Sequence, residues 1–197
     1  MLYKVPFYSQ SWNLDHWSEL GFVNRSDAEY WERSCCGILC LKMAIDYFKS
    51  VTYQPHSPTI FKLIQHGLQL NAYSDESGWS HSGLVTLASV LGFNAKQTTI
   101  TSPQQLKSAL DLGQLPIISI KWAFAPTKTL KERFFFWKKY GGHLALVVGY
   151  LALGEQIIGF YVHHTSKIPQ QNWISRLVLI DQFTSGFTGR SIIISKL

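Results

Sequence analysis

Ser34-Cys35-Cys36-Gly37-Ile38-Leu39-Cys40-Leu41-Lys42-Met43-Ala44-Ile45-Asp46-Tyr47-Phe48 is the stretch that decides the fold. Cys36, Leu39, Cys40, Met43, Ala44 and Tyr47 recur at i, i+3, i+4, i+7, the spacing of one helix face. Leu41, Ile45 and Phe48 add a second apolar face, which leaves Lys42, Asp46 and Lys49 as a narrow polar stripe. A helix apolar over most of its circumference belongs in the middle of a core. The spacing therefore predicts a central helix over 36–48 with a thiol in its first turn. Aligned peptide dipoles place about half a positive charge at a helix N-terminus, and that field favours a thiolate over a thiol.

The rest of the chain is compatible with one folded domain over residues 1–197. Hydrophobic residues make up 46% and charged residues 15%, a balance that excludes disorder. No apolar run approaches the ~18 residues that span a bilayer. Met1-Leu2-Tyr3-Lys4-Val5-Pro6 lacks a secretory signal's apolar stretch, and three cysteines, two adjacent, make no disulfide framework. Reduced thiols and a cytoplasmic setting are expected. The net charge of +6 admits an anionic partner. Its visible basic cluster is Lys128, Lys131, Arg133, Lys138 and Lys139 around Phe134–Trp137. That pattern reads as a surface helix with a packed aromatic face, or as weak contact with an anionic surface. Nucleic-acid binding is not expected, since no zinc-finger spacing or RNA-binding signature accompanies it.

Helix starts are signalled at Ser57-Pro58 before 59–70, at Ser80 before 81–91 with Gly92 as the stop, and at Ser102-Pro103 with Gln105 before 106–112. The C-terminal half changes period. Residues 115–122, 144–150, 157–163, 176–180 and 190–195 are short β-prone runs, with Gly154 set for a hairpin turn. Helices first and strands later predict an α+β domain with the central helix packed on a C-terminal antiparallel sheet.

Cysteine nucleophiles need activation, because the free thiol is only a few per cent ionised near neutrality. Cys36 has the helix start, and Gly37 leaves room for a substrate carbonyl to approach the backbone. Cys40 lies a turn inside and reads as core; Cys35 reads as a passive neighbour. Gly141-Gly142-His143 opens an apolar strand and supplies a candidate base. Gln10 is the candidate side-chain amide for an oxyanion hole. Trp79 and His81 sit at a loop-to-helix junction, where they line a substrate cleft or merely pack. Cys36, His143, His163 and His164 are also residue types that ligate zinc, but no CxxC or HExxH pattern is present. Adjacent strand histidines face opposite ways, so only one of His163 and His164 can reach a site shared with Cys36. No metal or other cofactor is expected.

The segments VPFYSQ, CCGILCLKMAIDYF, GGHLALVVGY, GFYVHHTS and FTGRSIII resemble the double-glycine (bacteriocin-processing) peptidase-like group of papain-fold cysteine peptidases. The resemblance implies a papain-like fold and a cysteine peptidase or related amide hydrolase or acyltransferase acting on a peptide. By it, Gln10 lines the oxyanion hole, Cys36 is the nucleophile and His143 the base; Gly37 and Gly142, beside them, are the candidate substrate-contacting glycines. The family's next strand ends in an Asp or Asn that orients the base. Here His163-His164-Thr165 stands there, so His164 is the expected orienter and Asp181 the fallback. A neutral imidazole carries no fixed charge, which leaves a catalytically silent peptide-binding domain as the alternative.

Overall fold

The computed structural model describes residues 1–52, 58–121, 124 and 143–197. The basic cluster at 128–139, Gly142 and the expected cap Ser57 lie outside them.

The central helix forms as its pattern predicts. α1 (Arg25–Ser34) leads through Cys35 directly into α2 (Cys36–Ser50), in which Ile38 to Ile45 are all buried. The polar stripe is the surprise. Lys42 and Asp46 are 8% and 2% exposed and form an ion pair of 2.9 Å, with Tyr8 Oη donating to the same carboxylate at 2.8 Å. The i,i+4 spacing that would serve a solvated face serves a buried pair equally well.

α3 (Ile60–Gln69) is capped by Thr59, and α4 (His81–Val90) by Ser80, whose Oγ accepts from Gly83 N–H at 3.1 Å. Between them Tyr73–Ser74 (β1) and Gly78–Trp79 (β2) form a small hairpin. α5 (Pro103–Asp111) begins where Ser102-Pro103 predicts, but the capping box is shifted. Ser102 makes no side-chain cap, while Gln105 Oε1 accepts from Thr101 N–H at 2.8 Å.

The main sheet has six antiparallel strands in the order β3-β8-β4-β5-β6-β7. They are β3 (Phe93–Thr99), β4 (Leu115–Ile120), β5 (His143–Leu153), β6 (Gln156–His164), β7 (Trp173–Leu179) and β8 (Phe187–Lys196). Gly154, at φ +58°, turns β5 into β6. A short helix, α6 (Ile180–Gly186), joins β7 to β8. Period-2 alternation sorts the strand residues onto two cores. Leu144, Leu146 and Val148 pack with α2, α3 and α4; Ala145 and Val147 pack with Leu106, Leu110 and Phe183 from α5 and α6. The sheet is thus covered on both faces, with β5 apolar on both sides as a central strand must be.

Candidate active site

Cys36 is the first residue of α2, and its half-buried thiol lies against the backbone of β5. The N–H groups of Leu144, Gly37 and Cys36 itself all bear on Sγ. They pull the thiol pKa down, yet burial outweighs them and the net displacement is upward. Gly37 sits in tight packing. A Cβ there would stand 3.0 Å from Trp79 Cβ and 3.1 Å from the Leu144 and Leu84 methyls, so those neighbours would have to give by a few tenths of an ångström. Cys35 and Cys40 are fully buried, and burial raises both thiols well above the ordinary value.

His143 opens β5 and pairs with Ile120 of β4. Since Leu144 N–H bears on Sγ, the thiol abuts the peptide that links His143 to Leu144. One His143 ring nitrogen, Nε2, is buried with no hydrogen-bond partner, and the other is served by the backbone carbonyl of Thr165. The His143–Cys36 hydrogen bond is therefore not formed in this conformation. Burial pushes the His143 pKa down to about 4, against the Thr165 carbonyl, which raises it. The pair is a neutral thiol beside a neutral imidazole.

The expected orienter takes a different place. His164 Nδ1–H donates to the Gln171 carbonyl at 2.6 Å, and its Nε2 is buried and unpartnered, so it accepts nothing from His143. Its ring instead packs on the His143 ring, with centroids 4.5 Å apart and planes tilted by 42°, and on Trp173 at 5.0 Å. Burial and then the neighbouring His143 push its pKa down to about 4. The hydrogen bond that His143 does make goes to the main-chain oxygen of Thr165, one residue further on. Asp181, the fallback, is an exposed residue in the first turn of α6.

Gln10 is 3% exposed and its Oε1 has no partner. It lies in a segment tied to both sides of the site. Ser11 Oγ contacts the Ser166 and Lys167 carbonyls at 2.8 Å, and Trp12 N–H donates to Glu32 of α1 at 3.2 Å. Turning the amide over would present its N–H groups instead, since oxygen and nitrogen are assigned from the surrounding network.

Trp79 and His81 do not line an open cleft. Trp79 is buried, stands beside Gly37 and donates its indole N–H to the Ser34 carbonyl at 2.8 Å, so it buttresses the turn before Cys36. His81 is 5% exposed and its Nε2 lies 2.9 Å from Ser119 Oγ, on the strand position paired with Leu144. Burial, then the Arg190 charge, lowers its pKa. Ser119 escaped the sequence reading because a lone serine in an apolar strand carries no signal.

No protein-family model matches the sequence, and no curated protein sequence matches it. Solved structures do. A C39-like peptidase from Bacillus anthracis superposes with a TM-score of 0.61 at 16% identity, covering 100% of this chain and 97% of that one. A double-glycine-motif protease from an AMS/PCAT transporter, solved with its leader peptide, gives 0.58 at 16% identity over 100% and 94%. The peptidase domain of Streptococcus ComA, a bifunctional ABC transporter of a quorum-sensing pathway, gives 0.53 at 17% over 82% and 91%. With the central helix, the six-stranded sheet and these superpositions together, the chain has the papain-like α+β fold of C39-like, double-glycine peptidase domains.

Proposed function

We propose that the protein is a cysteine peptidase or related amide hydrolase in which Cys36 is the nucleophile and His143 its base. One observation carries this reading: at the N-terminus of a buried helix, three backbone N–H groups bear on a thiol that abuts the peptide of a strand-opening histidine. Such donors stabilise the anion that forms on attack.

In the proposed reaction the Cys36 proton passes to His143 Nε2 as sulfur bonds to the substrate carbonyl carbon. The oxyanion is held by the Cys36 N–H and the Gln10 amide. The C–N bond then breaks as His143 returns the proton to the leaving amine, leaving a thioester. Water, deprotonated by His143, releases the acid and restores the thiol. The Thr165 carbonyl fixes the ring and partly offsets the imidazolium charge, though without a carboxylate's full charge. A peptide is the proposed substrate, because the transporter protease of the same fold was solved with a leader peptide.

A second reading, a silent peptide-binding domain, is favoured by the neutral thiol and imidazole and by their missing hydrogen bond. Two measurements separate the readings. The chain is incubated with a fluorogenic peptide amide carrying a Gly-Gly junction, beside Cys36→Ala and Cys40→Ala. Hydrolysis is expected from the wild type and Cys40→Ala and not from Cys36→Ala; equal turnover by Cys36→Ala rejects the assignment. Iodoacetamide labelling of Cys36 is then followed against pH. A thiol raised by burial labels faster as pH climbs past neutrality, with no plateau on the acid side. A plateau below pH 7 marks an ion pair instead.

A further inference from the structure

The peptide that joins Thr165 to Ser166 is held at both ends. Its carbonyl, from Thr165, accepts from the His143 ring, and its N–H, from Ser166, donates to Asn172 Oδ1 at 2.9 Å. A peptide unit is planar, so the partner that fixes the N–H also aims the carbonyl on the opposite side. Asn172 therefore sets the direction of an oxygen that it does not touch.

The amide nitrogen of Asn172 reaches a different segment. Nδ2 donates to the Ser166 carbonyl and to Ser11 Oγ, each at 2.9 Å. These partners fix which way the amide faces, since a backbone N–H only donates and a carbonyl only accepts. Ser11 Oγ in turn lies 2.8 Å from the Ser166 and Lys167 carbonyls, and Ser11 directly follows Gln10. One planar side chain thus joins the segment of the candidate oxyanion amide to the peptide that holds the candidate base. The preceding residue extends the hold, because the Gln171 carbonyl accepts from His164, whose ring packs on His143.

We propose that Asn172 is a positioning residue of the Cys36–His143 site, which aims the Thr165 carbonyl at His143 and keeps the Gln10 segment in register with it. The proposal rests on the reading of Cys36 as nucleophile and His143 as base. The role needs an acceptor and two donors on one rigid plane, which among side chains of this length only asparagine carries. Asn172 acts through Thr165 and Ser11, not on a reacting atom.

Hydrolysis of the fluorogenic peptide amide is compared in the wild type, Asn172→Ala and Ser11→Ala. Asn172→Ala is expected to lower kcat by about a hundredfold, the scale of a misplaced reacting group, with KM within about threefold of the wild type. Unchanged kcat, or a rise in KM alone, overturns the proposal. Proton exchange of the His143 ring N–H, the Gln10 side-chain amide and the His163 ring N–H is followed by nuclear magnetic resonance in the same proteins. In Asn172→Ala the first two are expected to exchange faster by about tenfold, the scale of one lost hydrogen bond. His163, held by the Val5 carbonyl on the opposite face, is expected to stay unchanged. Equal acceleration at all three marks a general loosening and overturns the proposal, as does no acceleration at His143 or at Gln10. Ser11→Ala is expected to free Gln10 and leave His143 as it is. That variant decides if Asn172→Ala does not fold, and unchanged Gln10 exchange in it overturns the proposal. Absence of turnover in the wild type rejects the peptidase reading alone, and the exchange rates then judge Asn172.

Discussion

His163 and His164 are neighbours on β6, yet they hold opposite positions chemically. His163 Nε2–H donates to the Val5 carbonyl at 3.1 Å and its Nδ1 accepts from Ser175 N–H at 2.9 Å, so both ring nitrogens are engaged in the core under Phe7. His164, pointing to the other face, has one engaged nitrogen and one open one. The first ring is a bracket between the N-terminal segment and β7. The second is a reserve of unspent hydrogen-bonding capacity beside the candidate base. Identical residues one position apart are separated by the strand's period of two, and the same period decides which can take part in chemistry.

The comparison has measurable consequences. The largest effect is in acid. His143 and His164 are held at about 4 against an ordinary 6.5, so between those values the unfolded chain binds protons that the folded chain refuses. Stability is fully present above pH 6.5 and falls as pH drops towards 4, by about 3 kcal/mol for His164 alone. Urea unfolding across that window measures it, and His164→Asn should flatten the fall. An unchanged slope in that variant means His164 is not the refused proton site. Next in size, His163→Ala removes both bonds and strands the Val5 carbonyl and Ser175 N–H. A loss of about 3 kcal/mol at pH 7.5 is expected; a loss below 1 contradicts its role as a bracket. The smallest effect is His164→Asn at pH 7.5. That variant gives up one backbone bond and ring packing on Trp173, about 1–2 kcal/mol. If it costs more than His163→Ala, the contrast between the two rings is inverted.

What could be read from the sequence follows the same logic. The central helix was legible because the apolar residues over 36–48 recur at helical spacing, and the place of Cys36 in its first turn because a cysteine, a helix start and a glycine coincide. The strands of the C-terminal half were legible with ends off by a few residues. α1 was missed because RSDAEYWERS buries only Ala28, Trp31 and Glu32, although Asn24 caps it by accepting from Asp27 N–H. β3 was missed because its residues are mostly exposed at a sheet edge. The orienter was invisible for a deeper reason. The proposed one is the main-chain oxygen of Thr165, and every residue has such an oxygen, so no side-chain pattern could mark it.

The β5–β6 hairpin, turned at Gly154, bears on how the molecule assembles. It carries both His143 and His164, 21 positions apart, while Cys36 is 107 positions from His143. Closing the longer loop costs about 1.4 kcal/mol more in chain entropy. The imidazole half of the site therefore belongs to the most local long-strand pairing in the sheet, and the thiol reaches it only by a contact of high sequence separation. Substitutions that weaken the hairpin should slow folding, whereas those at the α2–β5 seam should chiefly hasten unfolding.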